Sequence, residues 1–126
     1  MTDRKIKIML IDDEVDFATL LARRIQMAGY DVHCYHQGEN AIDMVRVVKP
    51  DLIMLDINLP GISGLEIYKQ FKVDHDIKEI PVVFISAMHE KENHCLYDLK
   101  AQGFLKKPSD TRFMFQLIEK VLTKSC

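Results

Sequence analysis

The sequence predicts a single α/β domain built on a parallel sheet, and three observations carry that expectation. Short apolar runs alternate with longer amphipathic stretches along the whole chain, the pattern of repeated βα units. Two of the runs, residues 52–55 (LIML) and 82–85 (VVFI), are apolar at consecutive positions, as strands covered on both faces are. The length of 126 residues, with 48% apolar and 29% charged, suffices for one ordinary hydrophobic core and is too short for a catalytic domain plus a second folded module. Residues 1–126 are therefore read as one domain without a linker.

Five βα units fit the chain in order. The first run, residues 6–11, leads into a helix whose apolar positions Val15, Phe17, Ala18, Leu21, Ala22, Ile25 and Ala28 follow the 3.6-residue period. Gly29 then stands where a C-terminal cap belongs. Residues 30–35 are polar and alternating, which suits an edge strand, and the next helix carries Ala41, Ile42, Met44, Val45 and Val48 before Pro50 stops it. After the third run, Ser63 and Glu66 have the spacing of a capping box, so a helix is expected over residues 64–73, with a polar loop over 74–78. The fourth run precedes a polar helix expected over residues 90–101. Phe104 and Leu105 are nearly all that the fifth strand offers, and Pro108 closes it. The last helix, residues 110–124, has an apolar stripe of Phe113, Leu117, Ile118, Val121 and Leu122, which is read as a core-facing face.

Composition excludes several functions. A net charge of −2 gives no general attraction to phosphate backbones or anionic lipid, so direct nucleic-acid binding is not expected. The opening apolar run is too short for a signal-peptide core or a membrane span, which predicts a cytoplasmic protein with no membrane contact. Cys34, Cys95 and Cys126 are odd in number and far apart, and read as reduced thiols. His33, Cys34 and His36 lie close together, but strand alternation sends neighbours to opposite faces, and no further ligand spacing supports a metal there.

In an open parallel sheet, ligands bind outside the carboxyl ends of the strands, so the residues that follow each run are the candidates. Asp12, Asp13 and Glu14 follow the first run, Asp56 and Asn58 the third, Ser86 the fourth and Lys107 the fifth. Converging carboxylates repel and resist ionisation unless a cation sits among them. Oxygen ligands call for a hard cation, here Mg²⁺, with Mn²⁺ a workable substitute. Given that ion, one carboxylate can act as nucleophile towards phosphorus, and Asp56, ending the buried central strand, is the best fixed. Phosphoryl transfer needs charge stabilisation at the equatorial oxygens, which Mg²⁺, the Lys107 ammonium and the Ser86 hydroxyl can supply. Each of these residues has a bland alternative as a cap, a turn or a solvated lysine. Their convergence at one end of one sheet is what favours the chemical reading.

These residues resemble the receiver domains of bacterial two-component response regulators, the CheY-like family. The resemblance covers essentially the whole chain and rests on LIDDE with Asp12 and Asp13, LDINLPGISG with Asp56, Pro60 and Gly64, FISA with Ser86, and FLKKP with Lys107 and Pro108. It implies a doubly wound, flavodoxin-like five-stranded parallel sheet of order 2-1-3-4-5. It also implies that Asp56 is phosphorylated, with Mg²⁺, from a phosphohistidine on a sensor histidine kinase or a histidine phosphotransfer protein. Such a domain is a signalling phosphoacceptor that catalyses its own phosphorylation and dephosphorylation rather than an enzyme acting on other substrates.

By the same resemblance, Asp13, Asp56 and the backbone carbonyl of Asn58 are direct metal ligands, Asp12 acts mainly through water, and the Lys107–Pro108 bond is cis. Ser86 moves towards the phosphoryl group, and Phe104 follows by turning inward, changing the surface of the fourth helix, fifth strand and fifth helix. The family often has Tyr where Phe104 stands, so the ring here lacks a hydroxyl. The downstream target is a protein partner or, where the chain is part of a longer regulator, a C-terminal effector domain.

Two rival classes fit the pattern less well. A phosphatase or phosphomutase of the haloacid dehalogenase type places its D-x-D after the first strand, whereas the nucleophile candidate here follows the third and reads Asp56-Ile57-Asn58. A phosphate-independent interaction module would lack one of the aspartates or the lysine, and none is missing. A nucleotide-binding module would need G-x-G-x-x-G or a P-loop, and neither occurs.

Overall fold

Five short strands, three of them built on runs of consecutive apolar residues, pair into one sheet. The computed structural model describes residues 4–107 and 110–124, with β1 (Lys7–Ile11), α1 (Val15–Met27), β2 (Asp31–Tyr35), α2 (Ala41–Val48), β3 (Leu52–Asp56), α3 (Gly64–Lys72), β4 (Val82–Ser86), β5 (Gly103–Lys106) and α4 (Thr111–Lys124). The order is β2-β1-β3-β4-β5, and all four pairings are parallel. This is the doubly wound order that the resemblance implied.

Strand alternation sorts the core into two layers. Met9, Ile11, Ile53, Leu55, Val82, Phe84 and Phe104 face one side, under Val45 of α2 and Ile67, Tyr68 and Phe71 of α3. Ile8, Leu10, Leu52, Met54, Val83, Ile85 and Leu105 face the other, under Ala18, Leu21, Ala22 and Ile25 of α1 and Met114, Ile118 and Val121 of α4. The buried residues of β3 and β4 on both faces explain why their sequences carry no alternation.

The helix ends follow their local chemistry. Gly29, at φ +104°, donates its N–H to Gln26 O at 3.0 Å, closing α1 in a conformation that costs glycine little. Lys49 takes a left-handed conformation at the end of α2, just before Pro50. The Ser63 hydroxyl accepts the Glu66 N–H at 3.2 Å, so the expected N-cap of α3 forms.

The helix expected over residues 90–101 is corrected by the structure. The β4–β5 connection holds only a 3₁₀ turn, His89–Lys91, and a π-helical turn, His94–Asp98. Leu99 N–H reaches back five residues to His94 O at 2.9 Å, and Ala101 N–H donates to Cys95 O at 2.9 Å. His, Asn, Tyr and Asp are weak helix formers, and within the π turn Cys95 alone is buried, so little packing enforces an α-helix. Tertiary contacts fix the segment instead: the buried Tyr68 donates its hydroxyl to Leu99 O at 2.8 Å. The Lys107–Pro108 bond expected to be cis lies outside the described residues. No helix among the described residues is long and apolar enough to cross a membrane.

Candidate functional site at the carboxyl ends of the strands

The crossovers bring the carboxyl ends of β1, β3, β4 and β5 to one edge of the sheet, and the polar residues there converge. Asp12 follows β1 and is fully buried. Its N–H donates to Tyr35 O at 2.9 Å, its Oδ1 accepts the Glu14 N–H at 2.9 Å, and its backbone carbonyl lies 2.9 Å from His36 Nδ1. Asp56 is the last residue of β3, also buried, with Oδ1 accepting the Asn58 N–H at 3.1 Å. One carboxylate oxygen from each of Asp12, Asp13 and Asp56 lies within 4.8 Å of the others.

Lys107 follows β5, and its N–H donates to Ser86 O at 3.0 Å. Its ammonium stands 2.6 Å from Glu14 Oε1, 2.8 Å from Asp12 Oδ2 and 3.2 Å from Asp56 Oδ2, and 4.7 Å above the centre of the Phe17 ring. Burial opposes that charge, but the contacts with Asp12 and Glu14, and the Asp56 charge, outweigh it and raise the lysine above its ordinary pKa. Asp56 is pushed the other way for an acid, up to about 7, by burial and by the neighbouring Asp12 charge, against the weaker pull of Lys107 and the Asn58 N–H. These side chains line an open cleft of about 230 Å³ bounded by Asp13, Glu14, Asp56, Asn58, Ala87 and Lys107. A larger depression of about 390 Å³, between α2 and the loop after α3, is lined by residues such as Arg46, Pro50 and Ile80 and gathers no comparable set of carboxylates.

The family model described as response regulator receiver domain matches residues 8–119. The chain belongs to that family. As a receiver domain of two-component signalling it shares its fold with the chemotaxis response regulator CheY4 of Vibrio cholerae, at 23% identity and a TM-score of 0.84, over 94% of this chain and 99% of that one. It is similar to the response regulator TrrA of Thermotoga maritima, solved with Mg²⁺ and BeF, at 26% identity and a TM-score of 0.82, over 92% and 98% of the two chains. It is also similar to NtrX of Brucella abortus, at 27% identity and a TM-score of 0.85, over 97% of this chain but 28% of the NtrX chain.

The receiver's acidic cluster fits a hard cation. Asp12 Oδ2 is buried and, although it lies 2.8 Å from the Lys107 ammonium, the angles leave it without a hydrogen bond. A buried carboxylate oxygen in that condition retains unspent coordinating capacity. Together with Asp13 at the solvent edge and Asp56, it forms the all-oxygen set that suits Mg²⁺.

The structure brings Asp12, Asp13, Asp56, Asn58 and Lys107 together at this edge. Ser86, the last residue of β4, is buried, with its hydroxyl accepting the Met88 N–H at 2.9 Å. Phe104 lies on the strand face towards α3 and is already buried, at 4% exposure, so no outward ring is present to turn inward. Glu14 in the acidic run and Phe17 on the apolar stripe both contact Lys107, a contact that no local sequence pattern signals. Gly64 was visible only as part of a motif. A Cβ there would stand 2.1 Å from the Asp56 carbonyl oxygen, so glycine alone lets the start of α3 seat against the end of β3.

Proposed function

We propose that the domain accepts one phosphoryl group on Asp56, in a Mg²⁺-dependent reaction, from a phosphohistidine of a sensor kinase or phosphotransfer protein, or from a small acyl phosphate. The observation that carries this reading is the Lys107 ammonium at 3.2 Å from an Asp56 oxygen, beside three carboxylates close enough to share a cation. The bound ion supplies charge neutralisation for the phosphoryl oxygens and for the acidic cluster. Asp13, Asp56 and the Asn58 carbonyl would hold it directly, and Asp12 mainly through water.

The protein's part is positioning. Asn58 N–H holds one Asp56 oxygen and Lys107 meets the other, so the carboxylate enters the reaction with a fixed orientation. An Asp56 oxygen bonds to phosphorus as the bond from phosphorus to the donor nitrogen or acyl oxygen breaks, and the bonding pair leaves with the donor. The product is an acyl phosphate on Asp56. The Lys107 ammonium then donates to a phosphoryl oxygen, and water later attacks phosphorus, breaking its bond to the Asp56 oxygen, so that inorganic phosphate leaves and the carboxylate is restored.

The output follows from Ser86. Its hydroxyl accepts the Met88 N–H and can still donate its own O–H to a phosphoryl oxygen, and a movement of Ser86 towards that oxygen pulls on Met88 at the start of the weakly structured β4–β5 connection. With Phe104 packed beneath it, that connection and its neighbours β5 and α4 form the surface whose two states differ in partner affinity. The partner is a downstream protein or an effector domain in the same polypeptide; NtrX, where the matched region is 28% of the chain, supports the second arrangement. A cytoplasmic location agrees with a phosphohistidine donor.

Intact-protein mass after incubation with Mg²⁺ and acetyl phosphate tests the reading. The expected result is a gain of one phosphoryl group, about 80 Da from its formula, that needs Mg²⁺ and is absent in Asp56→Asn. No gain, under conditions that label another receiver domain, would remove the mechanism.

A further inference from the structure

The Lys107 ammonium has three N–H donors, and three carboxylates already surround it. Its hydrogen bonds go to Glu14 at 2.6 Å and Asp56 at 3.2 Å, with Asp12 Oδ2 2.8 Å away, so an ammonium drawn towards a phosphoryl oxygen on Asp56 stretches its contact with at least one of the others. Asp12 is buried within the acidic cluster, so withdrawing the ammonium from it leaves a buried carboxylate less compensated, whereas at Asp56 the phosphoryl group itself supplies the acceptor. Glu14 differs. Its side chain is 62% exposed, its backbone is anchored through its own N–H on Asp12 Oδ1, and its carboxylate can swing into water at small cost. Its contact of 2.6 Å is nevertheless the shortest of the three.

Resting on the phosphoacceptor reading above, we infer that Glu14 is an exchangeable counter-ion for Lys107: it positions the ammonium in the unphosphorylated state and is displaced by the phosphoryl oxygens. Glu14 is a positioning residue here, because it touches Lys107 and not the reacting atoms. Its release is an added cost on phosphorylation, and its removal hands Lys107 to the incoming group without competition. In chemical class, the ligand exchanged for the Glu14 carboxylate is a phosphoryl or phosphoryl-like anion held against Asp56.

The test compares wild type with Glu14→Gln, each also in a Lys107→Ala background. Two readouts are taken: the rate of phosphorylation by acetyl phosphate with Mg²⁺, by intact mass, and the affinity for beryllofluoride with Mg²⁺, by ¹⁹F NMR. Glu14→Gln is expected to accelerate phosphorylation and tighten beryllofluoride binding by about three- to tenfold, the scale of one exposed charge-assisted contact, with an unchanged melting temperature. Both gains are expected to vanish in the Lys107→Ala background. An unchanged or slower Glu14→Gln would overturn the inference while leaving the phosphoacceptor reading intact. Gains that persist without Lys107 would also overturn it, since they would report only a general loss of negative charge. If wild type itself takes no phosphoryl group, the phosphoacceptor reading fails and the inference falls with it.

Discussion

Replacing Asp56 by Asn should make the metal-free domain more stable, and only at neutral to alkaline pH. Asp56 is buried, and its carboxyl is pushed up to about 7 by that burial and by the Asp12 charge. The folded state therefore holds this proton more tightly than the unfolded chain, in which the group titrates near 4. The associated stability is fully present below about pH 4 and is lost as pH rises through about 7. A difference of roughly three pKa units sets a ceiling of about 4 kcal/mol. That ceiling already includes the pull of Lys107, and water entering the open cleft beside Asp56 screens the cluster and reduces it to a gain of about 1–2 kcal/mol at pH 8. The Asn58 N–H keeps an acceptor, because the Asn amide still offers an oxygen at that site. For a domain of this size the gain corresponds to a melting temperature higher by about 3–8 °C.

Thermal melts of both proteins in EDTA, at pH 4.5 and pH 8, measure it. The difference between them cancels the other titrating groups, and it should be near zero at the lower pH and favour Asp56→Asn at the higher. Mg²⁺ at about 100 times its dissociation constant should then stabilise wild type by about 2.7 kcal/mol and the variant much less. A variant that melts below wild type at pH 8, or a gap that does not change with pH, would refute the electrostatic account of the cluster.

Two other substitutions probe the scaffold around the site. Gly64→Ala places a Cβ 2.1 Å from the Asp56 carbonyl oxygen; the backbone must shift, and chemical denaturation should show a loss of about 2–4 kcal/mol, together with slower phosphorylation. Tyr68→Phe removes the donor that holds Leu99 O at 2.8 Å, and should cost about 1–2 kcal/mol while increasing amide hydrogen exchange at Leu99 and Ala101. Unchanged exchange there would mean that the tyrosine hydroxyl does not anchor the π-helical turn.

The sequence by itself determined the sheet and most of the site. The runs ending in Ile11, Leu55 and Ile85 form strands with no polar alternative, so whatever follows them lies at one edge. Strand order alone groups Asp12, Asp56, Ser86 and Lys107 there. The fifth strand, weak in sequence, forms because Phe104 and Leu105 fill opposite layers beside β4, a consequence of its neighbour more than of its own propensity. The fourth helix was misjudged for the converse reason. A polar stretch with one buried position, Cys95, has too little periodic burial to fix its own geometry, and its conformation was decided by Tyr68, about thirty residues away in sequence and bonded to Leu99.

Tertiary structure alone decided what each charge faces. Glu14 and Lys107 are 93 positions apart, and only the crossover from β4 to β5 sets the lysine above Phe17 and against three carboxylates. Strand order places residues at an edge, but an ion pair depends on distances of a few ångströms and on burial, and both of those are properties of the packed chain.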